Sequence, residues 1–149
     1  FLINEISSGA LLYYTDNRTI TFLLLHYFRG HWDFPKGNKE KGESDIDTAL
    51  REIAEETGIT DVTILDGFKK EIFYRYKRNN QLMSKKVVYF LAKANSTDVR
   101  LSSEHLDFVW EQYEDALKRI TYKNSKEILD EGHKFLINSL NSKIQTTNE

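Results

Sequence analysis

Hydrophobic and polar positions along this chain fall into runs whose period changes several times. Residues 5–14 (EISSGALLYY) and 19–28 (TITFLLLHYF) are rich in branched and aromatic side chains and flank the turn-like TDNR. They predict a strand pair. The continuous apolar run from Phe22 to Leu25 predicts burial on both faces of the second strand. In WDFPKG (32–37), Pro35 holds Phe34 extended, and Gly37 is expected to let the chain bend. Asn38 to Glu43 is a polar loop. Ser44 with Asp47 three residues on has the form of a capping box. The helix it starts carries Ile46, Ala49, Leu50 and Ile53 as its apolar stripe and ends at Gly58, a C′ glycine.

Beyond the helix, residues 62–68, 71–77 and 86–94 predict three strands, the last two joined by a polar hairpin, RNNQLMSK. DFVWEQYEDALKRI begins as a strand and turns helical near Tyr113, and SKEILDEGHKFLINSL is an amphipathic final helix. The polar tail after Ser142 is expected to fray. No repeat or linker interrupts the pattern. The expected fold class is α/β or α+β: a mixed sheet sandwiched between helices, in one domain over residues 1–149.

Composition narrows the function. The chain has 149 residues, 40% hydrophobic and 30% charged, which is globular rather than disordered. A net charge of −2 supplies no global field toward nucleic acid or membrane. There is no cysteine, so thiolate metal sites, disulfides and a cysteine nucleophile are excluded. No apolar run approaches the ~20 residues that span a bilayer. The expectation is a cytoplasmic monomer with no membrane and no stable nucleic-acid partner.

The segment REIAEETGI (51–59) is where charge crowds. On a helix, Glu55 and Glu56 lie about 60° and 40° to either side of Glu52, so three carboxylates share one narrow stripe. Glutamate favours helices, and such runs are ordinarily solvated faces, with Arg51 able to reach Glu55 at i+4. Yet Glu52 and Glu56 are a like-charge i, i+4 pair, which weakens a helix.

The wider spacing bears on that crowding. From Gly37 to Ile59 the chain reads G-x5-E-x7-R-E-I-x-E-E-x-G-I. This resembles the Nudix box, G-x5-E-x7-R-E-U-x-E-E-x-G-U, with U a bulky aliphatic residue. Gly37, Glu43, Arg51, Glu52, Ile53, Glu55, Glu56, Gly58 and Ile59 all match. Chance agreement at ordinary residue frequencies is below about 10⁻⁸. The resemblance implies a Nudix fold with a catalytic strand-loop-helix, and hydrolysis of nucleoside diphosphates linked to another group. It implies Glu52, Glu55 and Glu56 as metal ligands, assisted by the Gly37 carbonyl, with Arg51 and Glu43 orienting them.

A cation also explains the crowding physically. Two like charges ~4 Å apart repel by about 4 kcal/mol at an effective dielectric near 20, and a divalent ion turns that cost into affinity. All-oxygen donors suit Mg²⁺ or Mn²⁺ rather than zinc. A carboxylate among carboxylates has its pKa raised, which suits a general base.

The flanks resemble one group within that family. GHWDFPKG (30–37), GFKKEIFY (67–74), KKVVYFLA (85–92), RLSSEHLDFVW (100–110) and EGHKFL (131–136) are similar in order and spacing to asymmetric diadenosine tetraphosphate hydrolases. One departure is Asn38, where many members have histidine. The resemblance implies that Tyr74 and Tyr122 sandwich a base, and that His31, Lys36 and Lys86 touch phosphates. It also brings Glu104 to the metal as ligand or base, so either Glu56 or Glu104 takes the proton from water. His26, His105 and His133 lack metal-ligand spacing and are expected to be structural. The implied reaction is hydrolysis of a dinucleoside polyphosphate, diadenosine tetraphosphate, to ATP and AMP. Removal of pyrophosphate from RNA 5′ ends, or attack on another capped nucleotide or a diphosphoinositol, are alternatives. A non-catalytic nucleotide sensor is a third, disfavoured because every box carboxylate is present.

Overall fold

Twelve residues, buried continuously from Ser7 to Tyr13, form β1 (Glu5–Asp16), and a two-residue turn with Asn17 and Arg18 at φ 47° and 69° returns the chain as β2 (Thr19–Tyr27). Asparagine tolerates that left-handed region, which is how the predicted turn closes. The structure, a computed structural model, describes residues 3–148, with side chains to Ser142. Two short strands follow, β3 (Trp32–Asp33) and β4 (Lys36–Asn38), then helix α1 (Asp45–Thr57). The long hairpin β5 (Val62–Arg78) and β6 (Gln81–Ala94) leads to β7 (His105–Glu111), α2 (Tyr113–Arg119) and α3 (Lys123–Asn148).

The sheet has the order β3-β2-β1-β6-β5, with β4 paired to β1 and β7 to β2. It is mixed, because β1 and β6 run parallel while the other pairs are antiparallel. Its two faces build two cores. Leu11, Phe22, Leu24, Tyr89 and Leu91 face α2 and α3, meeting Ala116, Ile120 and Leu129. Ala10, Leu12, Leu23, Leu25 and Val88 face α1, meeting Ala49 and Ile53. Neighbours in sequence thus point to opposite sides, and Phe22 to Leu25 are all fully buried, as a strand covered on both faces requires. Each such side chain contributes about 1.5–3 kcal/mol.

Three expectations change. Residues 62–68 and 71–77 are one strand, whose register against β6 shifts between Ile64 and Lys69 around Gly67 at φ 89°. A bulge, rather than a loop, is what the glycine supplies. The helix stripe is rotated: Ile46 and Leu50 are exposed, while Ala49, Ile53 and Glu56 at i, i+4 and i+7 are buried. Gly37 does not bend the chain; it sits in β4, paired with Ser8. The fraying expected after Ser142 lies outside the described side chains.

Candidate active site

The site is assembled where β4 runs into α1. Gly9 lets β4 lie close, because a Cβ there would fall 2.2 Å from the Pro35 carbonyl oxygen. That carbonyl accepts a hydrogen bond from the Ala10 amide at 3.2 Å. Gly37 has a sharper reason to be glycine. A Cβ on it would stand 2.1 Å from the Glu52 carboxyl carbon, so the carboxylate occupies the space a side chain would take.

The capping box forms as the spacing implied. The Ser44 hydroxyl accepts from the Asp47 amide at 3.1 Å and the Asp47 carboxylate from the Ser44 amide at 3.2 Å. At the other end Gly58 adopts φ 75° and its amide donates to Ala54. The caps fix the phase of α1, and with it the direction of each glutamate.

Arg51 gathers most of them. Its Nε donates to Glu43 at 2.7 Å, Nη1 to Glu52 at 2.8 Å and to Glu55 at 3.2 Å, and Nη2 to the Asn38 carbonyl at 2.9 Å. The guanidinium hydrogen bond holds the Glu43 carboxyl down at about 2. Glu55 remains largely exposed. Glu56 behaves differently. It is 4% exposed, with the Tyr27 hydroxyl at 3.4 Å and His105 Nε2 at 3.5 Å. Burial first, and then the hydrogen bond and charge of Glu52, push its pKa up to about 9; Glu104 adds in the same direction and the Lys36 amide opposes. A buried acid that shares a proton with a neighbouring carboxylate is what a divalent cation would relieve, so the donor set fits such an ion. Among the described residues, no three of these groups already converge on one position.

Glu104 is exposed in the turn just before β7, its amide donating to the Ser102 hydroxyl at 3.3 Å. His105, expected to be structural, is buried against Glu56, with its Nδ1 2.9 Å from Ser102 Oγ. Burial lowers its pKa, so it is neutral at pH 7. Its signal was adjacency to Glu104. His26 stacks on Trp32 at 4.4 Å and His133 on Tyr113 at 4.2 Å, as packing groups.

On the far side of Lys36 opens a cleft of about 680 Å³. His31, Lys36, Tyr74 and Tyr122 all line it, with Tyr76, Arg78 and Lys85. Lys86 is not among them. It pairs across the strands with Phe73 and lies 3.9 Å from Glu71, whereas Lys85 pairs with Tyr74. Alternation puts adjacent lysines on opposite faces. Asp33, unremarked in the sequence, is buried on the cleft wall, with Lys36 Nζ at 3.5 Å. Tyr74 is raised to about 12 by burial, then by Asp33, Glu5 and Tyr122.

Comparison with known proteins follows the same lines. The NUDIX domain model matches residues 4–131. The chain is 44% identical over 127 residues to the asymmetrical bis(5′-nucleosyl)-tetraphosphatase of Sus scrofa, covering 81% of this chain and 84% of that protein. It is 36% identical over 135 residues to the Caenorhabditis elegans protein of that name, covering 87% and 95%. The crystal structure of a C. elegans Ap4A hydrolase binary complex is similar at TM-score 0.81 and 34% identity, over 90% of this chain and 98% of that one. With the box, the fold and these relatives in agreement, the chain belongs to the NUDIX domain family and groups there with the asymmetrical bis(5′-nucleosyl)-tetraphosphatases.

Proposed function

We propose that this chain, acting as one domain, hydrolyses diadenosine tetraphosphate to ATP and AMP with the help of Mg²⁺ or Mn²⁺. One observation carries the reading: the box carboxylates and an aromatic, basic cleft meet at Lys36. Its backbone amide reaches Glu56 and its residue lines the cleft with Tyr74, Tyr122 and Lys85. Glu52, Glu55, Glu56 and Glu104, with the Gly37 carbonyl, would hold the ion. Such an ion supplies Lewis-acid stabilisation of charge on the phosphoryl oxygens.

The chain's own groups do the remainder. Arg51, anchored on Glu43, orients Glu52 and Glu55. Glu56, with its raised affinity for a proton, or Glu104 beside it accepts the proton of the attacking water. Tyr74 and Tyr122 stack on a base, at about 1–3 kcal/mol. Lys36 and Lys85 neutralise bridging phosphates, and His31 lies beside them at the same wall.

The test is a product assay on the purified protein with diadenosine tetraphosphate, a 5′-triphosphorylated RNA, a capped nucleotide and a diphosphoinositol, each with Mg²⁺ or with chelator. ATP and AMP from the first compound, abolished by chelator, is the expected result. Faster turnover of any of the others would transfer the assignment to that substrate.

A further inference from the structure

A dinucleoside polyphosphate carries two bases, and the Tyr74–Tyr122 cleft takes one. We infer that the second nucleoside is bound on Phe28, in a neighbouring cavity that Glu104 also lines. This inference rests on the dinucleotide reading above.

Phe28 is 63% exposed at the turn that follows β2. A lone exposed phenylalanine is ordinary and by itself indicates nothing. Its surroundings are not ordinary. Phe28 lines a cavity of about 450 Å³ with Tyr27, Arg29, His31, Ser103 and Glu104. The turn displaying it is well fixed: Gly30, at φ 97°, donates its amide to the Tyr27 carbonyl at 2.8 Å, and the Tyr27 amide donates to His31 at 2.9 Å. The backbone that presents the ring is therefore held in place, which lowers the ordering cost of stacking on it.

The cavity adjoins the first cleft. Arg29 and His31 line both. The His31 ring stacks on Tyr27 at 4.6 Å and 6°, and its other neighbour is Tyr122 at 5.4 Å, so one aromatic row joins the two spaces. Carboxylates adjoin residues of both spaces. Glu56 accepts from the Lys36 amide and has the Tyr27 hydroxyl 3.4 Å away, while Glu104 lines the Phe28 cavity itself. A phosphate bridge crossing these carboxylates thus has Tyr74 and Tyr122 at one end and Phe28 at the other. Arg29, common to both cavities, carries charge complementary to that bridge. Aromatic platforms tolerate any base, because each presents a π-face.

The experiment compares diadenosine tetraphosphate with adenosine 5′-tetraphosphate, which keeps the phosphates but lacks the second base. KM is measured for each, or Ki where the mononucleotide only inhibits, with wild type, Phe28→Ala and Phe28→Tyr. The wild type should prefer the dinucleotide, and Phe28→Ala should cut that preference about 5- to 100-fold, chiefly through KM, the range set by the loss of one stacked base. Phe28→Tyr should restore it. An equal preference in wild type and Phe28→Ala overturns the second site. A wild type that neither hydrolyses nor binds the dinucleotide overturns the substrate reading itself, and is recognised without any variant.

Discussion

Glu56 is the residue on which stability and activity pull in different directions. In the unfolded chain it titrates near 4.5; in the folded chain it titrates near 9. A raised carboxyl pKa means that folding favours the protonated form, so stability is fullest below 4.5 and is lost as pH rises toward 9. Between pH 7 and 9 this carboxyl is expected to dominate the slope. Metal-free protein should lose about 2–3 kcal/mol over those two pH units, or roughly 5–10 °C in melting temperature. Glu56→Gln should flatten the slope in chelator while lowering turnover by about 10²–10³ in Mg²⁺. Parallel pH–melting curves for the two proteins would refute the buried acid. The sequence showed three glutamates on one stripe but not which was covered. Ile46 and Leu50 looked inward on hydrophobicity alone, yet both are exposed. Period places Glu56 with Ala49 and Ile53 just as well; only the position of the sheet, and of Tyr27 and His105, decides between the two faces.

At the scale of the element, the β5–β6 hairpin sets which cations face the cleft. Its turn is two residues, Asn79 and Asn80, at φ 50° and 63°. That pairs Arg78 with Gln81 and therefore Tyr74 with Lys85. RNNQLMSK was legible as a polar hairpin, but strands read as 71–77 and 86–94 leave its register open; the NN pair within it was the usable signal. With a two-residue turn, alternation alone sends Lys85 to the cleft and Lys86 away. Lys85 is also partly desolvated, and burial lowers its pKa, with Lys36 acting in the same direction and Glu5 opposing. Lys85→Ala should raise KM for diadenosine tetraphosphate about tenfold or more, on the scale of one charged hydrogen bond. Lys86→Ala should change it less than about twofold. The reverse ranking, by steady-state kinetics, would mean that the phosphates run over the other face of β6. The helix ends were legible for a related reason: caps are local, and Ser44, Asp47 and Gly58 state their positions without help from the fold.

At the scale of the molecule, the site is a junction. A strand-loop-helix held under a mixed sheet brings the box carboxylates to Lys36, which also lines the cleft. A four-phosphate bridge is symmetric, so the point of attack is chosen by how far the clamped base lies from the activated water. Tyr74 and Tyr122 belong to the cleft that begins at Lys36, and the Lys36 amide is hydrogen-bonded to Glu56. A base clamped at Tyr74 and Tyr122, with phosphates on Lys36 and Lys85, would set a phosphorus next to a nucleoside, rather than the centre of the bridge, at the activated water. Water attacking there displaces ATP and leaves its oxygen on AMP. Hydrolysis in ¹⁸O-labelled water, read by mass spectrometry, should therefore place the label in AMP and none in ATP. Two molecules of ADP would put the attack at the centre, and label chiefly in ATP would put it one phosphorus further along; either result would break the link between the clamp and the carboxylates.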